Sequence, residues 1–252
     1  MRGLLRWIVL VLLAALALQL FFVARIGMMA VVDPQSTSFQ RSEVWRIVTE
    51  QHRLRWRQQW VPYSQISDNL KRAVIASEDG SFTNHDGVDW EALDQAWQRN
   101  SRAEEQALRH GQQQPSRRSA GRAPPATRAP KVVGGSTITQ HLAKNLLLSG
   151  ERSLLRKGQE FVLAFLLERM LNKERILEIY LNNVEWGEGV FGAEAAAQHY
   201  YRKPASQLSA YEAARLAVML PRPRYFEKLP NSGYLASRAS TIVGRMRDAE
   251  LP

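Results

Sequence analysis

The chain of 252 residues contains no cysteine, which excludes a disulfide framework, a thiolate zinc site and a thiol nucleophile. That absence fits an oxidising compartment. Acidic residues are outnumbered, 24 Asp and Glu against 34 Lys and Arg, leaving a net charge of +10. Such a balance implies an anionic partner, which could be nucleic acid, a membrane surface or a phosphate-bearing substrate. Long apolar runs are scarce as well: the one that stands out is WIVLVLLAALALQLFFVA at 7–24, broken only by Gln19 and prolonged by IGMMAVV beyond Arg25. It is long enough to span a bilayer, and no small-x-small cleavage site follows it, so it reads as an uncleaved anchor. Arg2 and Arg6 before the run favour a cytoplasmic N-terminus, while Arg25, Arg41 and Arg46 beyond it weaken that charge argument. The remainder, in a chain 45% hydrophobic with 7 Trp, suffices for one sizeable core rather than two full domains.

Between 33 and 62 the chain is polar, with Trp45, Trp56 and Trp60 alternating with arginines. Beside a span this suits a membrane-proximal surface, although the same alternation could stack single-stranded nucleic acid. In AVIASEDGSFTNHDGVDW, residues 73–90, an apolar helical run stops at two adjacent carboxylates. Ile66, Leu70, Val74 and Ile75 recur at helical spacing with Ser64 or Ser67 as cap, so Glu78 falls in the last turn of a buried helix, next to Asp79. A helix C-terminus and an apolar wall both disfavour an ionised carboxylate. The pKa of Glu78 is therefore expected to rise, as suits a group that takes a proton from a hydroxyl near neutral pH. A capped helix end with exposed acids would account for the same residues.

Asp89 can cap a short helix, and composition changes sharply at Ser101. Residues 101–131 carry seven Lys or Arg against two Glu amid Gln, Ala, Ser and Pro, and are expected to form a mobile basic loop. Half of the net charge resides there, which weakens the nucleic-acid reading. GGSTITQHLAKN then offers glycines for a tight turn, Ser136 as a cap, and Ile138, Leu142 and Leu146 along one side, so a helix N-terminus suited to an anion is expected. Lys144, Asn145, Arg152, Arg156 and Lys157 add donors enough for a diphosphate. An ordinary capped helix beside a basic surface is the competing reading. In the apolar helix at 159–171, Glu160 lies on a stripe that looks buried and needs a partner such as Arg152 or Arg156. Gly187, Gly189 and Gly192 spell GxGxxG, but they follow a helix outside any βαβ unit, so a turn packing helices closely is expected rather than a dinucleotide site. Ser209 with Glu212 makes a capping box for a helix that ends before Pro221 and Pro223.

Taken in order, EDGSFTNHDG, GGSTITQHLAKN, RKGQEFVLAFLLE, the run ILEIYLNNVEWGEGVFGAEAAAQHYY and LSAYEAARLAVMLP resemble the five motifs of the bacterial peptidoglycan glycosyltransferases, across about 64–223. The resemblance implies a mainly α, lysozyme-like helical domain with a smaller membrane-dipping subdomain and one N-terminal transmembrane helix, its catalytic side periplasmic on the cell inner membrane. The expected divisions are a cytoplasmic 1–6, an anchor at 7–31, a membrane-proximal segment at 32–63, the glycosyltransferase domain at 64–230 and a helical tail at 231–252. The implied reaction polymerises lipid II into glycan strands, inverting at the anomeric carbon as undecaprenyl diphosphate leaves. Matched residue by residue, Glu78 corresponds to the catalytic base and Glu160 to a second acid. Asp79, Phe82, His85, Gly87, Ser136, Thr137, Gln140, Lys144, Asn145, Arg152, Arg156 and Lys157 correspond to substrate-binding positions. Implied partners are lipid II, the growing strand, the inner membrane and proteins of cell-wall synthesis or division, and not nucleic acid. No metal or other cofactor is certain, a divalent cation (Mg or Mn) being the one left open. His141 departs from the family's usual second Gln. Two alternatives stand beside this reading: a membrane-anchored lytic glycosidase, which would have no use for a diphosphate clamp, and a noncatalytic cell-wall scaffold.

Overall fold

A computed structural model of the chain describes residues 2–52, 56–112, 135–148 and 153–252. The helices are α1 (Arg2–Met28), α2 (Ser38–Gln51), α3 (Asp68–Glu78), α4 (Trp90–Gln112), α5 (Ile138–Leu147), α6 (Leu154–Met170), α7 (Lys173–Asn183), α8 (Ala193–Tyr201), α9 (Ala210–Met219), α10 (Pro223–Glu227) and α11 (Gly233–Arg245). Three short strands, β1 (Arg57–Gln58), β2 (Glu185–Gly187) and β3 (Val190–Phe191), pair in the order β1-β3-β2, parallel between β1 and β3 and antiparallel between β2 and β3. Two compact units are present: Met1–Val88 with Thr137–Pro252, and Asp89–Ser136.

In the larger unit, α3 starts where the Ser67 hydroxyl accepts the Leu70 N–H, satisfying one of the donors that a helix start leaves open. It buries Leu70, Ala73 and Val74 and packs on α9, where Ala213, Ala214 and Ala217 are buried. Alanine at these positions lets the two helices approach closely. α11 closes over the same pair, with Leu235, Ala239 and Ile242 buried. The residues expected as a tail are thus helical but belong to the core.

Asn182, fully buried on α7, grips the chain before α3 with both amide atoms: Nδ2 donates to the Val61 carbonyl and Oδ1 accepts the Val61 N–H, each at 2.9 Å. Beyond α7 the glycines do pack closely, since a Cβ on Gly192 (φ +84°) would lie 2.7 Å from the Asn182 carbonyl oxygen. They do so in the β2–β3 hairpin, which helical periodicity did not anticipate. The hairpin strands are only two or three residues long, too short for alternation to register.

α1 is 27 residues long and apolar enough to cross a membrane. It covers the 7–24 run and ends at Met28, three residues before the expected anchor boundary. Its one internal polar interruption is satisfied by the fold, because the Gln19 and Gln159 amides exchange hydrogen bonds of 3.0 and 3.2 Å. Phe22 and Ile26 are buried in the same unit. α6 bears Leu155, Val162 and Phe165 on one side at seven- and three-residue spacing, exposed at 89%, 47% and 58%, an apolar face left uncovered among the described residues.

In the smaller unit, the Asp89 carboxylate caps α4 by accepting the Ala92 N–H at 2.7 Å. The loop expected from Ser101 is corrected for 101–112, which prolong α4 to 23 residues. Polarity was misread as disorder there: Arg, Ala, Glu and Gln are good helix formers, with no proline and no glycine before Gly111. Side-chain pairs four apart, Gln95–Glu91 at 3.2 Å and Gln98–Asp94 at 2.8 Å, support the helix. Residues 113–131 of that expectation lie outside the described residues. Gly135 is required by crowding, since a Cβ there would come within 3.0 Å of the Leu93 Cα.

Candidate active site

α3 ends on the wall of a cavity of about 410 Å³, lined by Phe39, Glu78, His141, Lys144, Asn145, Tyr180, Val184, Glu185, Leu220, Pro221 and Pro223. The Glu78 side chain is 11% exposed. Burial pushes its pKa up to about 7, with the neighbouring Asp79 charge adding to the rise and a long Ser77 hydroxyl contact of 3.5 Å opposing it. The cation-capable group beside it is His141, whose Nδ1 lies 3.8 Å from Glu78 Oε2. Burial and then the Lys144 charge hold that imidazole below its ordinary pKa, so near neutrality it faces Glu78 as an uncharged ring able to donate and accept. Tyr180, inside the same cavity, keeps its phenol protonated because burial and the Glu78 and Asp79 charges oppose ionisation.

Glu185 also faces the cavity, yet its circumstances differ. Its two oxygens accept from Arg224 at 2.8 and 3.1 Å, and Arg224 also reaches Glu43 of α2. Burial raises the Glu185 pKa while Arg224 opposes the rise. Of the two carboxylates, Glu78 is thus the one without a guanidinium partner among the described residues.

Glu160 is 3% exposed and lies on α6, as its stripe implied. Arg156 Nη1 approaches one of its oxygens at 3.0 Å, and Lys157 Nζ contacts the other. This triad does not line the cavity, but Lys157 and Glu160 lie within electrostatic reach of His141, as does Lys144. Arg156 Nε is buried with no hydrogen-bond partner among the described residues, a donor with capacity to spare. Arg152, expected beside them, lies outside the described residues. With both Glu160 oxygens engaged by cations, its donor set does not fit a metal ion. Among the described residues no group of three His, Asp or Glu is arranged to hold one.

Several positions implied to bind substrate make hydrogen bonds within the scaffold. Asp79 is 7% exposed: one oxygen accepts from His85 Nε2 at 2.9 Å and the other from the Ile138 N–H at 2.9 Å, joining the end of α3 to the start of α5. His85 Nδ1 in turn accepts the Gly87 N–H at 3.1 Å, which fixes the neutral tautomer protonated on Nε2. Gly87 adopts φ +86°, and a Cβ would meet Glu168 Cγ at 3.0 Å and the Ala164 carbonyl oxygen at 3.1 Å, so only glycine fits. Its carbonyl accepts from the Thr137 hydroxyl at 2.6 Å. Thr137, rather than Ser136, caps α5, because the box needs Gln three residues on and Gln140 stands there. Phe82 is fully buried, and Thr137 and Gln140 are 2% exposed. Ser136 falls in the smaller unit. Of the expected binding residues, Lys144 and Asn145 join Glu78 at the cavity.

Sequence reasoning missed Phe39, Tyr180 and Glu185 as cavity residues. Tyr180 lies in an amphipathic helical pattern, and Phe39 comes from a segment read as membrane surface; neither carries a local signal of chemistry.

A family model described as Transglycosylase matches residues 46–111 and 120–247. The chain is 53% identical over 239 residues to a biosynthetic peptidoglycan transglycosylase of Burkholderia thailandensis, covering 95% of this chain and 84% of that one. It is 49% identical over 253 residues to the protein of the same description from Herminiimonas arsenicoxydans, covering 100% and 99%.

Proposed function

The chain belongs to the transglycosylase family, and we propose that it acts as a peptidoglycan glycosyltransferase that polymerises lipid II with Glu78 as the general base. The carrying observation is a buried carboxylate pushed up to about 7, without a guanidinium partner among the described residues, in a cavity shared with Lys144 and Asn145. A base with that pKa is ionised to a useful extent near pH 7 and still basic enough to take a hydroxyl proton.

In the proposed reaction Glu78 removes the proton of the acceptor sugar's 4-hydroxyl as that oxygen attacks the anomeric carbon of the growing strand. The bond from that carbon to the lipid diphosphate breaks, the electron pair leaves with the diphosphate, and α configuration becomes β. Lys144 and Asn145 bear on the departing charge, with Arg156 and Lys157, held by Glu160, completing the cationic surroundings. The apolar α1 and the exposed face of α6 support an anchor in the inner membrane, with the cavity on the periplasmic side, where a lipid-linked substrate is met.

Purified full-length protein incubated with labelled lipid II tests the proposal. Glycan polymer is expected from wild type, and Glu78→Gln is expected to lose about a hundredfold or more while still binding a lipid-diphosphate analogue. Near-normal turnover in a folded Glu78→Gln protein would remove Glu78 as the base. Release of soluble muropeptides from intact peptidoglycan, with no polymer from lipid II, would instead favour a lytic glycosidase.

A further inference from the structure

A second cavity, of about 210 Å³, opens at the end of α1 and plays no part in the chemistry above. Arg25, Met28, Met29, Val32, Asp33, Ser36 and Arg41 contribute to its lining. Arg25 stands three residues before the end of the apolar helix, so with α1 across a bilayer the cavity lies at the level of the lipid head groups.

Two observations point to an anion. Arg25 and Arg41 are near enough to repel each other, and among the described residues Arg25 forms no ion pair. The carboxylate of Asp33, also in the lining, is engaged 2.7 Å from an Arg175 nitrogen. Arg41, for its part, is held by uncharged acceptors: the Ser36 hydroxyl at 3.2 Å, the Ser38 hydroxyl at 3.1 Å and the Ser36 carbonyl at 3.5 Å. Its guanidinium is therefore oriented without being neutralised. The rest of the lining includes Met28, Met29 and Val32, which would suit hydrocarbon and would do nothing for a free ion or an acidic peptide.

We propose that this cavity binds the phosphate of a lipid of net negative charge at the membrane surface, with Arg25 and Arg41 sharing its charge and Met28, Met29 and Val32 lying against the adjoining carbons. Two lipids carry such a group, an anionic phospholipid and the polyprenyl diphosphate of the proposed reaction. The inference rests on the anchored reading of α1.

The test uses full-length protein in nanodiscs of phosphatidylcholine alone, with added phosphatidylglycerol, or with an added polyprenyl phosphate, and native mass spectrometry to count retained lipids. Wild type is expected to retain one anionic lipid from at least one of the two doped membranes and no phosphatidylcholine. Retention should fall about tenfold in the Arg25→Gln, Arg41→Gln double variant. Whichever doped membrane yields the retained lipid identifies the source. Retention of neither anionic lipid, or retention that the double substitution leaves unchanged, overturns the proposal. A wild-type chain that does not enter nanodiscs would overturn the anchor and this site together, whereas an inserted chain that retains nothing overturns the site alone.

Discussion

A carboxylate whose pKa burial raises to about 7 is destabilising in its charged form, so Glu78, the proposed base, lowers the stability of the fold. Its folded pKa of about 7 stands above the ordinary 4.5; between these values the folded chain holds a proton that the unfolded chain has released, and above pH 7 both have lost it. The penalty is accordingly absent below pH 4.5, grows as pH rises and is complete above pH 7. Glu78→Gln removes it. The variant is expected to unfold at a higher temperature than wild type at pH 8, by about 1–3 kcal/mol, with the difference fading by pH 5. Equal melting at pH 8 would mean that Glu78 is better solvated than its surroundings indicate. The polymerisation rate should follow the same group and rise with pH through an inflection near 7. At Gly87 the demand is steric: Gly87→Ala places a methyl against Ala164 and Glu168 in a left-handed conformation, and a loss of about 1–3 kcal/mol in denaturant unfolding is expected.

At the scale of elements, the start of α5 does more than begin a helix. Thr137 accepts the Gln140 N–H and donates to the Gly87 carbonyl, while the next residue's N–H is bound by Asp79. One turn thereby joins α5, which presents His141 and Lys144, to the end of α3, which presents Glu78. Asp79 also lies at the positive end of the α5 dipole, which favours its charge. Thr137→Ala removes the cap and orphans the Gly87 carbonyl. A stability loss of about 1–3 kcal/mol is expected from chemical denaturation, together with a lower turnover at saturating lipid II, because the two halves of the cavity lose their common bolt. Thr137→Ser, which keeps the hydroxyl, should restore most of both. Failure of serine to rescue would assign the effect to the lost methyl instead.

At the scale of the whole molecule, α1 and the apolar face of α6 are the two surfaces of the larger unit proposed to meet lipid. They are not independent, since the Gln19–Gln159 amide pair joins them and Phe22 and Ile26 are buried in the shared core. Removing residues 2–28 should leave polymerisation measurable in detergent but lower it at least several-fold on lipid II in liposomes, where access to the bilayer matters. Val162→Ser with Phe165→Ser in that truncated chain should then reduce its sedimentation with liposomes, since together the two side chains account for about 3 kcal/mol of transfer when buried. Unchanged sedimentation would show that α6 does not touch lipid.

Much of this was legible from local pattern, for identifiable reasons. The apolar run of α1, the helix ending at Glu78, the caps at Ser67, Asp89 and Ser209, and the burial of Glu160 all follow from side-chain periodicity and hydrogen-bonding capacity within a few residues of one another. The tertiary structure alone decided which motif residues face the cavity and which hold it together. Motif order told nothing of orientation: Asp79 and Glu78 are neighbours in the chain, yet one is spent on His85 and the Ile138 N–H while the other is left without a guanidinium. Nor could spacing foresee that Phe39, Tyr180 and Glu185, from three separate elements, would converge on Glu78. A carboxylate's pKa depends on the atoms packed around it, and those can come from distant segments, as Glu43 of α2 acting on Glu185 more than a hundred residues on illustrates. Local sequence sets which groups are available; only the packed fold sets which of them are desolvated, paired or left over.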